Sequence, residues 1–449
     1  MSDAALSPFR ARRLRLAESM RARGGGVAVV AAGGEVVRNR DSTYPFRTDS
    51  YFAYLTGFPE PDAVVVIDAR AEVPRSILFC REKNEEREIW DGFRFGPAAA
   101  AERFGFDEAH AIDTLDTGMP ALLADAPAIY HPLAASAQGD AAVQRWLDAV
   151  RAQARAGVST PAVAYDVRAP LDEMRLVKDA YEADIMRRAA RISAHAHVRA
   201  MRATAPGRRE YEIEAELLHE FRRCGSPFPA YGSIVAGGRN ACVLHYREND
   251  AVLRDGDLLL IDAGCELEGY ASDITRTWPV NGVFSGAQRE LYEIVLAAQA
   301  AAIDSTRPGA RFMDGHDAAV RVLAQGMIDC GLVQGSLDGV LESGAYRRFY
   351  MHRTGHWLGM DVHDCGEYRE PGEPAVPGTG KPWRVLRPGM VTTVEPGLYV
   401  RAADDVPAAY HDIGIRIEDD ALVTESGCEI LTADVPKSVA DIQALMRAR

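Results

Sequence analysis

Two apolar segments near the middle of the chain each carry an aspartate, and this pattern constrains the fold more than any other feature. Residues 258–264 contain a Leu-Leu-Leu-Ile run that ends at Asp262, and residues 270–275 contain Asp273. Such runs are typical of buried strands. If the two strands form a regular hairpin with Leu267-Glu268 at the centre of its turn, the aspartates lie directly opposite each other, with Cβ atoms about 4.5–5.5 Å apart. Like charges so placed are destabilising, so the pattern predicts a cation between them.

Two further acids occupy similar settings. Glu395 ends the β-rich run that begins at Val391, just before Pro396, while Arg416 and Glu418 alternate with isoleucines and therefore share one strand face. A single acid of this kind is usually a solvated strand end. Four of them together are harder to explain as solvated strand ends, because each unpaired buried charge costs several kcal/mol.

Histidines cluster beside Gly-rich turns in the same half of the chain. His352 and His356 are four residues apart, His363 follows, and His245 lies closer to the first aspartate. Gly355 makes a helix unfavourable between the first two. One histidine alone is more often a surface or core residue than a ligand, but the clustering favours a role for this group at the acidic site.

Length and composition limit the class of protein. A chain of 449 residues is too long for one ordinary core and predicts two domains. With 47% hydrophobic and 26% charged residues it is typical of globular proteins, and its formal charge of −14 makes nucleic acid an unexpected partner. Seven cysteines without a C-x-x-C pair indicate a reducing compartment, so we expect a cytoplasmic protein. No apolar stretch reaches the roughly 18 residues of a membrane span.

The order of predicted elements differs between the two parts of the chain. Residues 1–172 alternate β-rich and helical segments, which predicts an α/β domain. Residues 173–449 group strands and helices, which predicts an α+β domain with antiparallel sheet. The glycines near residues 24–34 do not form the G-x-G-x-x-G pattern of a dinucleotide loop. The clearest strands predicted in the second domain are Val252–Ala263, Tyr270–Val280, Val391–Val400 and Ile413–Val423.

Separate motifs in one order resemble the bacterial Xaa-Pro aminopeptidases (aminopeptidase P) of the pitta-bread metallopeptidase family. The catalytic-domain motifs are Ile261–Cys265, Gly269–Thr277, His352–His363, Thr393–Gly397 and Gly414–Asp420. Asp41–Arg47 and Tyr54–Phe58 resemble the family's smaller lobe. The resemblance implies an amino-terminal α/β, creatinase-like domain over 1–172, followed by a pitta-bread catalytic domain over 173–449.

The resemblance also implies a metal centre and a reaction. Two divalent ions are expected, with Asp273 and Glu418 bridging them, and the implied ligands are Asp262, Asp273, His356, Glu395 and Glu418. Four carboxylates and one imidazole form a hard donor set that suits Mn²⁺, with Zn, Co or Fe as alternatives. The implied reaction releases the first residue of a peptide with proline at the second position, by attack of a metal-bridging hydroxide.

The other site residues follow from the same resemblance. Glu395 is expected to transfer the proton to the leaving nitrogen, His363 and His245 to lie near the substrate, and His352 and Arg416 to line the same cleft. Tyr231 and Tyr399 are expected as walls of the proline pocket. Some family members receive an acidic and an aromatic residue from a neighbouring subunit. Asp41 and Trp90 match those residues, which implies a homo-oligomer, a tetramer or a dimer.

Three alternative functions are considered for this chain. A prolidase shares the five ligands but cleaves only Xaa-Pro dipeptides. A methionine aminopeptidase needs no amino-terminal domain of this size. A non-catalytic pitta-bread binding module keeps the fold but has no reason to keep the five ligands together.

Overall fold

The structure is a computed structural model that describes residues 7–378 and 380–448. It divides into two compact units, and the boundary along the chain falls between Met174 and Arg175, near the end of the helix Arg168–Leu176. In the described part of the chain, none of the helices combines the length and the apolar character needed to cross a membrane.

The amino-terminal unit is built on one mixed six-stranded sheet. Its strand order is β6-β5-β4-β1-β7-β8, and β4 pairs antiparallel with both β1 and β5. The remaining neighbours are parallel, and helices α5 and α6 cover a core of valines and Trp146. The helices and strands are α1 Pro8–Arg21, β1 Val27–Ala31, β2 Val37–Asn39, β3 Ser42–Thr43, α2 Ser50–Thr56, β4 Val64–Asp68, β5 Arg75–Cys80, α3 Glu85–Asp91, α4 Gly96–Phe104, β6 Glu108–Ala111, α5 Leu115–Leu123, β7 Ala128–His131, α6 Ala137–Arg151, β8 Val163–Asp166 and α7 Arg168–Leu176.

The second unit consists of short antiparallel sheets packed with long helices. The sheets are β10-β11-β14, β13-β12-β9, β15-β18-β19 and β16-β17. Its first long helix starts at a capping box in which Asp179 and Glu182 satisfy each other's backbone N–H groups. The elements are α8 Ala180–Ala203, α9 Glu210–Arg223, β9 Phe228–Pro229, β10 Ile234–Gly237, β11 Leu258–Asp262, β12 Cys265–Leu267, β13 Tyr270–Ala271, β14 Thr275–Pro279, α10 Gly286–Ser305, α11 Asp314–Asp329, α12 Leu337–Ser343, β15 Val391–Val394, β16 Gly397–Val400, β17 Ile413–Arg416, β18 Asp419–Val423, β19 Cys428–Ile430 and α13 Val439–Arg447.

The long strands predicted in this unit are wrong in extent, because Val252–Ala263 forms a strand only from Leu258 and each of the other three breaks at an acid. Strand β11 ends at Asp262, and the other three segments split at Asp273, Glu395 and Glu418. At these breaks the backbone N–H groups do not bond to the neighbouring strand of their own sheet but to other segments of the chain. That of Glu395 donates to the carbonyl of Thr354 over 2.8 Å, and that of Glu418 donates to the carbonyl of Thr275 over 3.0 Å. These bonds draw the acids of different sheets together.

The predicted hairpin register is also wrong, by two residues. Asp262 pairs with Thr275 rather than with Asp273, because the turn is centred on Glu268 and Gly269, whose φ values are 50° and 82°. Such left-handed values at both central residues are those of the tight hairpin turn, which favours glycine. A shift of two residues preserves the side-chain alternation, so both aspartates stay on the same face.

Candidate metal centre

The structure brings the five predicted ligands to one cleft of about 790 Å³. Donor atoms of Asp273, His356 and Glu418 all lie within 4.8 Å of one another. The His356 Nε2 atom is 3.5 Å from Asp273 Oδ2 and 3.7 Å from Glu395 Oε1. Asp262 joins the group through Tyr231, whose hydroxyl contacts Asp262 Oδ1 at 2.6 Å and Asp273 Oδ1 at 2.5 Å.

The carboxylates of this group repel one another in the absence of a cation. Burial, reinforced by the neighbouring acids, raises the pKa of Glu418 well above its usual range and raises that of Glu395 to about 7. Burial also raises the pKa of Asp262, although Arg416 donates to its carboxylate over 2.5 Å and opposes the shift.

For two members of the group, the pKa shifts against the direction that burial alone would give. The pKa of Asp273 is lowered, because the hydrogen bond and charge of His356 outweigh the effect of burial. Burial likewise favours the neutral form of His356, but its bond to Asp273 and the charge of Glu395 raise the pKa of the imidazole to about 9. The surrounding acids therefore favour a positive charge on the His356 imidazole, and the same acids would favour a metal cation. Four oxygen donors and one imidazole fit hard divalent ions.

A chain of hydrogen bonds connects His352, Tyr399 and Arg416 to the acids of the site. Burial and the charge of Arg416 lower the pKa of His352 to about 4, so its imidazole is neutral. Its Nδ1 lies 2.7 Å from the carbonyl of Arg353, which requires Nδ1–H to donate there and leaves Nε2 as an acceptor. Tyr399 then donates to Nε2 over 2.8 Å and accepts from Arg416 Nη1 over 3.1 Å.

The other histidines line the open side of the cleft. His363 stacks on His356 with ring centroids 3.9 Å apart, and burial lowers its pKa. His245 is exposed and faces the same cleft. Asp41 and Trp90 are exposed residues of the amino-terminal unit, with Trp90 82% exposed.

Most of the supporting residues have no signal in the sequence that singles them out. Thr275 donates from Oγ1 to Glu418 Oε2 over 2.5 Å, and Asp420 accepts the backbone N–H of Asp273 over 3.1 Å. The contact of Tyr231 with two acids was also not foreseen, since it was expected only as a pocket wall. The Asp-Asp pair that follows Glu418 is the one clue that could have indicated Asp420.

A buried cleft with four carboxylates and one imidazole at its base defines the class of divalent-metal hydrolase sites. Residues 184–425 match metallopeptidase family M24, and residues 9–130 match the aminopeptidase P N-terminal domain. The Xaa-Pro aminopeptidase of Haemophilus influenzae is 47% identical over 409 residues, which cover 91% of this chain and 90% of that protein. The chain belongs to metallopeptidase family M24.

Solved structures agree with this assignment. Aminopeptidase PepP of Pseudomonas aeruginosa superposes with a TM-score of 0.93 at 47% identity, and the match covers 98% of both chains. Zinc-substituted aminopeptidase P of Escherichia coli, in complex with product, superposes with a TM-score of 0.93 at 43% identity over 98% of both chains. The predicted resemblance and the predicted fold class are confirmed, and membership of this metallopeptidase family supports divalent-metal binding.

Proposed function

We propose that this chain is a metal-dependent aminopeptidase that releases the first residue of peptides with proline at the second position. The observation that carries the proposal is the convergence of four carboxylates and one imidazole from separate segments in one cleft, in a chain that belongs to family M24. The cleft volume of about 790 Å³ lies within the usual range of ligand pockets.

Two divalent ions, with manganese as the native metal, would be held by Asp262, Asp273, His356, Glu395 and Glu418. Four carboxylates balance the charge of two such ions, and a hard oxygen-rich set favours Mn²⁺ over a soft-ligand metal. When bound, such a pair supplies a hydroxide nucleophile near neutral pH and polarises the scissile carbonyl.

Glu395 accepts the proton of the attacking water and returns it to the proline nitrogen. Its side chain is 17% exposed, against 6% for Asp273, so it can meet a water in the cleft. Proline leaves as a secondary amine and needs one proton at that nitrogen to do so. General acid–base transfer of this kind contributes about 10²- to 10⁴-fold to a rate.

His363 and His245 bind the substrate from the open side of the cleft. An imidazole N–H there can donate to the oxygen that gains negative charge when the carbonyl carbon becomes tetrahedral. The stacking of His363 on His356 fixes the plane of its ring.

Arg416, Tyr399 and His352 act as positioning residues. Tyr399 is 2% exposed and bonded to both of the others, which suits an indirect role better than direct contact with the proline ring. Tyr231 remains the candidate wall residue, because it lines the cleft beside the metal donors.

The assembly and the compartment are part of the proposal. We propose a homo-oligomer, a tetramer or dimer, in which Asp41 and Trp90 serve a neighbouring cleft; the exposure of Trp90 and of Ile89 beside it supports this. We also propose a cytoplasmic location, supported by seven scattered cysteines without a C-x-x-C pair, a pattern typical of reducing compartments. The proposed domain limits are 1–172 and 173–449.

The test is an assay of chelated protein resupplied with single metals. We expect Mn²⁺ to restore cleavage of Xaa-Pro-Yaa peptides, and Glu395→Ala to reduce kcat/KM by about 10²- to 10⁴-fold. The matched control, Glu293→Gln, changes an exposed acid on a helix of the same unit and should leave the rate unchanged. Activity confined to Xaa-Pro dipeptides would identify a prolidase instead, and metal-saturated protein without peptidase activity would favour a binding module.

A further inference from the structure

Two arginines line the metal cleft without taking part in the site described above. Arg247 and Arg353 are exposed side chains of the same cleft that holds the five metal donors. They lie on separate segments, since Arg247 is two residues beyond His245 and Arg353 directly follows His352. We call them the arginine pair.

Local contacts orient both side chains. The Arg247 Nη1 atom lies 3.6 Å from the point where a side chain on Gly232 would begin, so it reaches over the segment that carries Tyr231. The Arg353 guanidinium lies over the ring of Trp383, 5.3 Å from its centroid, and this stacking limits its freedom.

The arginine pair differs from Arg416 in its charge partners. Arg416 donates to Asp262, but among the described residues neither guanidinium of the arginine pair forms an ion pair with a carboxylate. Glu248 is close in sequence, yet its carboxylate accepts the backbone N–H of Arg247. Two cations of one cleft are thus available to a ligand.

We propose that the arginine pair binds a carboxylate of the substrate on the carboxyl side of proline. This inference rests on the proposed aminopeptidase function, in which the substrate's amino end lies at the metal donors and the rest of the peptide extends toward the open cleft. The carboxylate is either an Asp or Glu side chain or the free terminus of a short peptide. Guanidinium groups suit this partner because they donate paired hydrogen bonds to a carboxylate.

The test compares peptides of equal length that differ in one charge. The substrates are Xaa-Pro-Glu, Xaa-Pro-Gln and Xaa-Pro-Lys peptides with amidated ends, together with an Xaa-Pro-Gln peptide that has a free carboxyl end. Exposed ion pairs predict that the holoenzyme prefers the Glu over the Lys peptide by about three- to tenfold in kcat/KM. The effect should appear in KM, since binding far from the reacting bond is equal in ground and transition states.

Variants assign that preference to the arginine pair. Arg247→Gln with Arg353→Gln should reduce the Glu/Lys ratio to about one and spare the amidated Gln peptide, and replacing both with Glu should reverse the ratio. Arg321→Gln, an exposed arginine on α11, is the matched control and should keep the wild-type ratio. A preference for the free-carboxyl Gln peptide over its amide, lost in the double variant, would assign the terminal carboxylate as the ligand.

The two proposals fail in different ways. The role of the arginine pair is overturned if wild-type kcat/KM is about equal for the Glu and Lys peptides and also for the free-carboxyl and amidated Gln peptides. It is also overturned if the double variant keeps the wild-type preference. Absence of cleavage of the amidated Gln peptide by metal-loaded wild-type protein overturns the aminopeptidase function itself.

Discussion

Glu418 and Asp419 are consecutive, buried acids whose environments are opposite. The carboxylate of Asp419 accepts from Arg276 Nη2 over 2.6 Å and from Lys437 Nζ over 2.7 Å. These cations outweigh burial and lower its pKa, whereas burial and neighbouring acids raise the pKa of Glu418. Successive residues of an extended chain point to opposite sides, so one acid faces a structural network and the other faces the cleft. The charge of Asp419 is thus balanced by cations of the protein itself, whereas that of Glu418 is left for a ligand to neutralise.

Asp364 provides a second structural acid beside the cleft. It lies 2.7 Å from Arg175 Nη2 and 3.0 Å from Lys178 Nζ, and all three side chains are buried. Its backbone N–H donates to the carbonyl of Trp357, so this cluster holds the segment that carries His363. Close packing supports the same segment, since a side chain at Gly359 would collide with the Asp364 carboxylate.

The largest expected effect comes from the functional acid. Glu418→Gln removes the charge of a proposed metal donor, and we expect kcat/KM to fall by about 10³-fold or more, because bound metals would supply several kcal/mol of transition-state stabilisation. The metal-free variant should be at least as stable as metal-free wild type, since one repelling charge is gone. Activity assays and thermal unfolding with and without Mn²⁺ measure both quantities. A variant that retains full activity and the full metal-induced rise in Tm would contradict the distinction between the two acids.

Asp419→Asn should show the reverse pattern. Arg276 and Lys437 would lose their buried partner, so we expect the free energy of unfolding of the metal-free protein to fall by about 3–5 kcal/mol. Urea denaturation at pH 7 measures this loss. A decrease below about 1 kcal/mol would show that the network is not structural.

The pH dependence of stability tests the Asp364 cluster. Lys178 and Arg175 lower the pKa of Asp364 in spite of its burial. A lowered folded-state pKa gives stability that is present above the unfolded value of about 3.9 and is lost as pH falls through the folded value. We therefore expect the difference in free energy of unfolding between wild type and Asp364→Asn to be constant from pH 5 to pH 7, because this range begins about one unit above the unfolded pKa. Below about pH 4 the difference should shrink. A difference independent of pH down to pH 2 would contradict this origin.

The smallest effect is expected at an exposed pair. Arg289 donates to Glu293 over 2.8 Å along one helix face, and both side chains are at least half exposed. Glu293→Gln should change the free energy of unfolding by about 0.5 kcal/mol or less, because solvent screens such pairs. Urea denaturation of this variant and of Asp419→Asn under the same conditions compares the exposed pair with the buried network. A similar loss in free energy of unfolding for both variants would contradict the difference expected between them.

The sequence predicted the chemistry of the site better than its geometry. Apolar runs that end in acids singled out Asp262, Asp273, Glu395 and Glu418, the family resemblance implied that they share a site, and the structure brings them together. The same apolarity predicted strands that were too long, because hydropathy does not show where a backbone N–H leaves one ladder to bond another segment. The hairpin turn was misplaced by one residue, since Glu268 takes a left-handed conformation that its residue type disfavours.

The sequence by itself determined which donors and charges are available, because these are properties of the side chains and of their order along the chain. Only the tertiary structure decided that Asp419 receives two internal cations while its neighbour Glu418 is surrounded by other acids. That division depends on burial and on distances between segments far apart in sequence, as between Asp419 and Arg276, 143 residues apart. Tyr231 reaches two acids for the same reason, since its contact exists only after the sheets have packed.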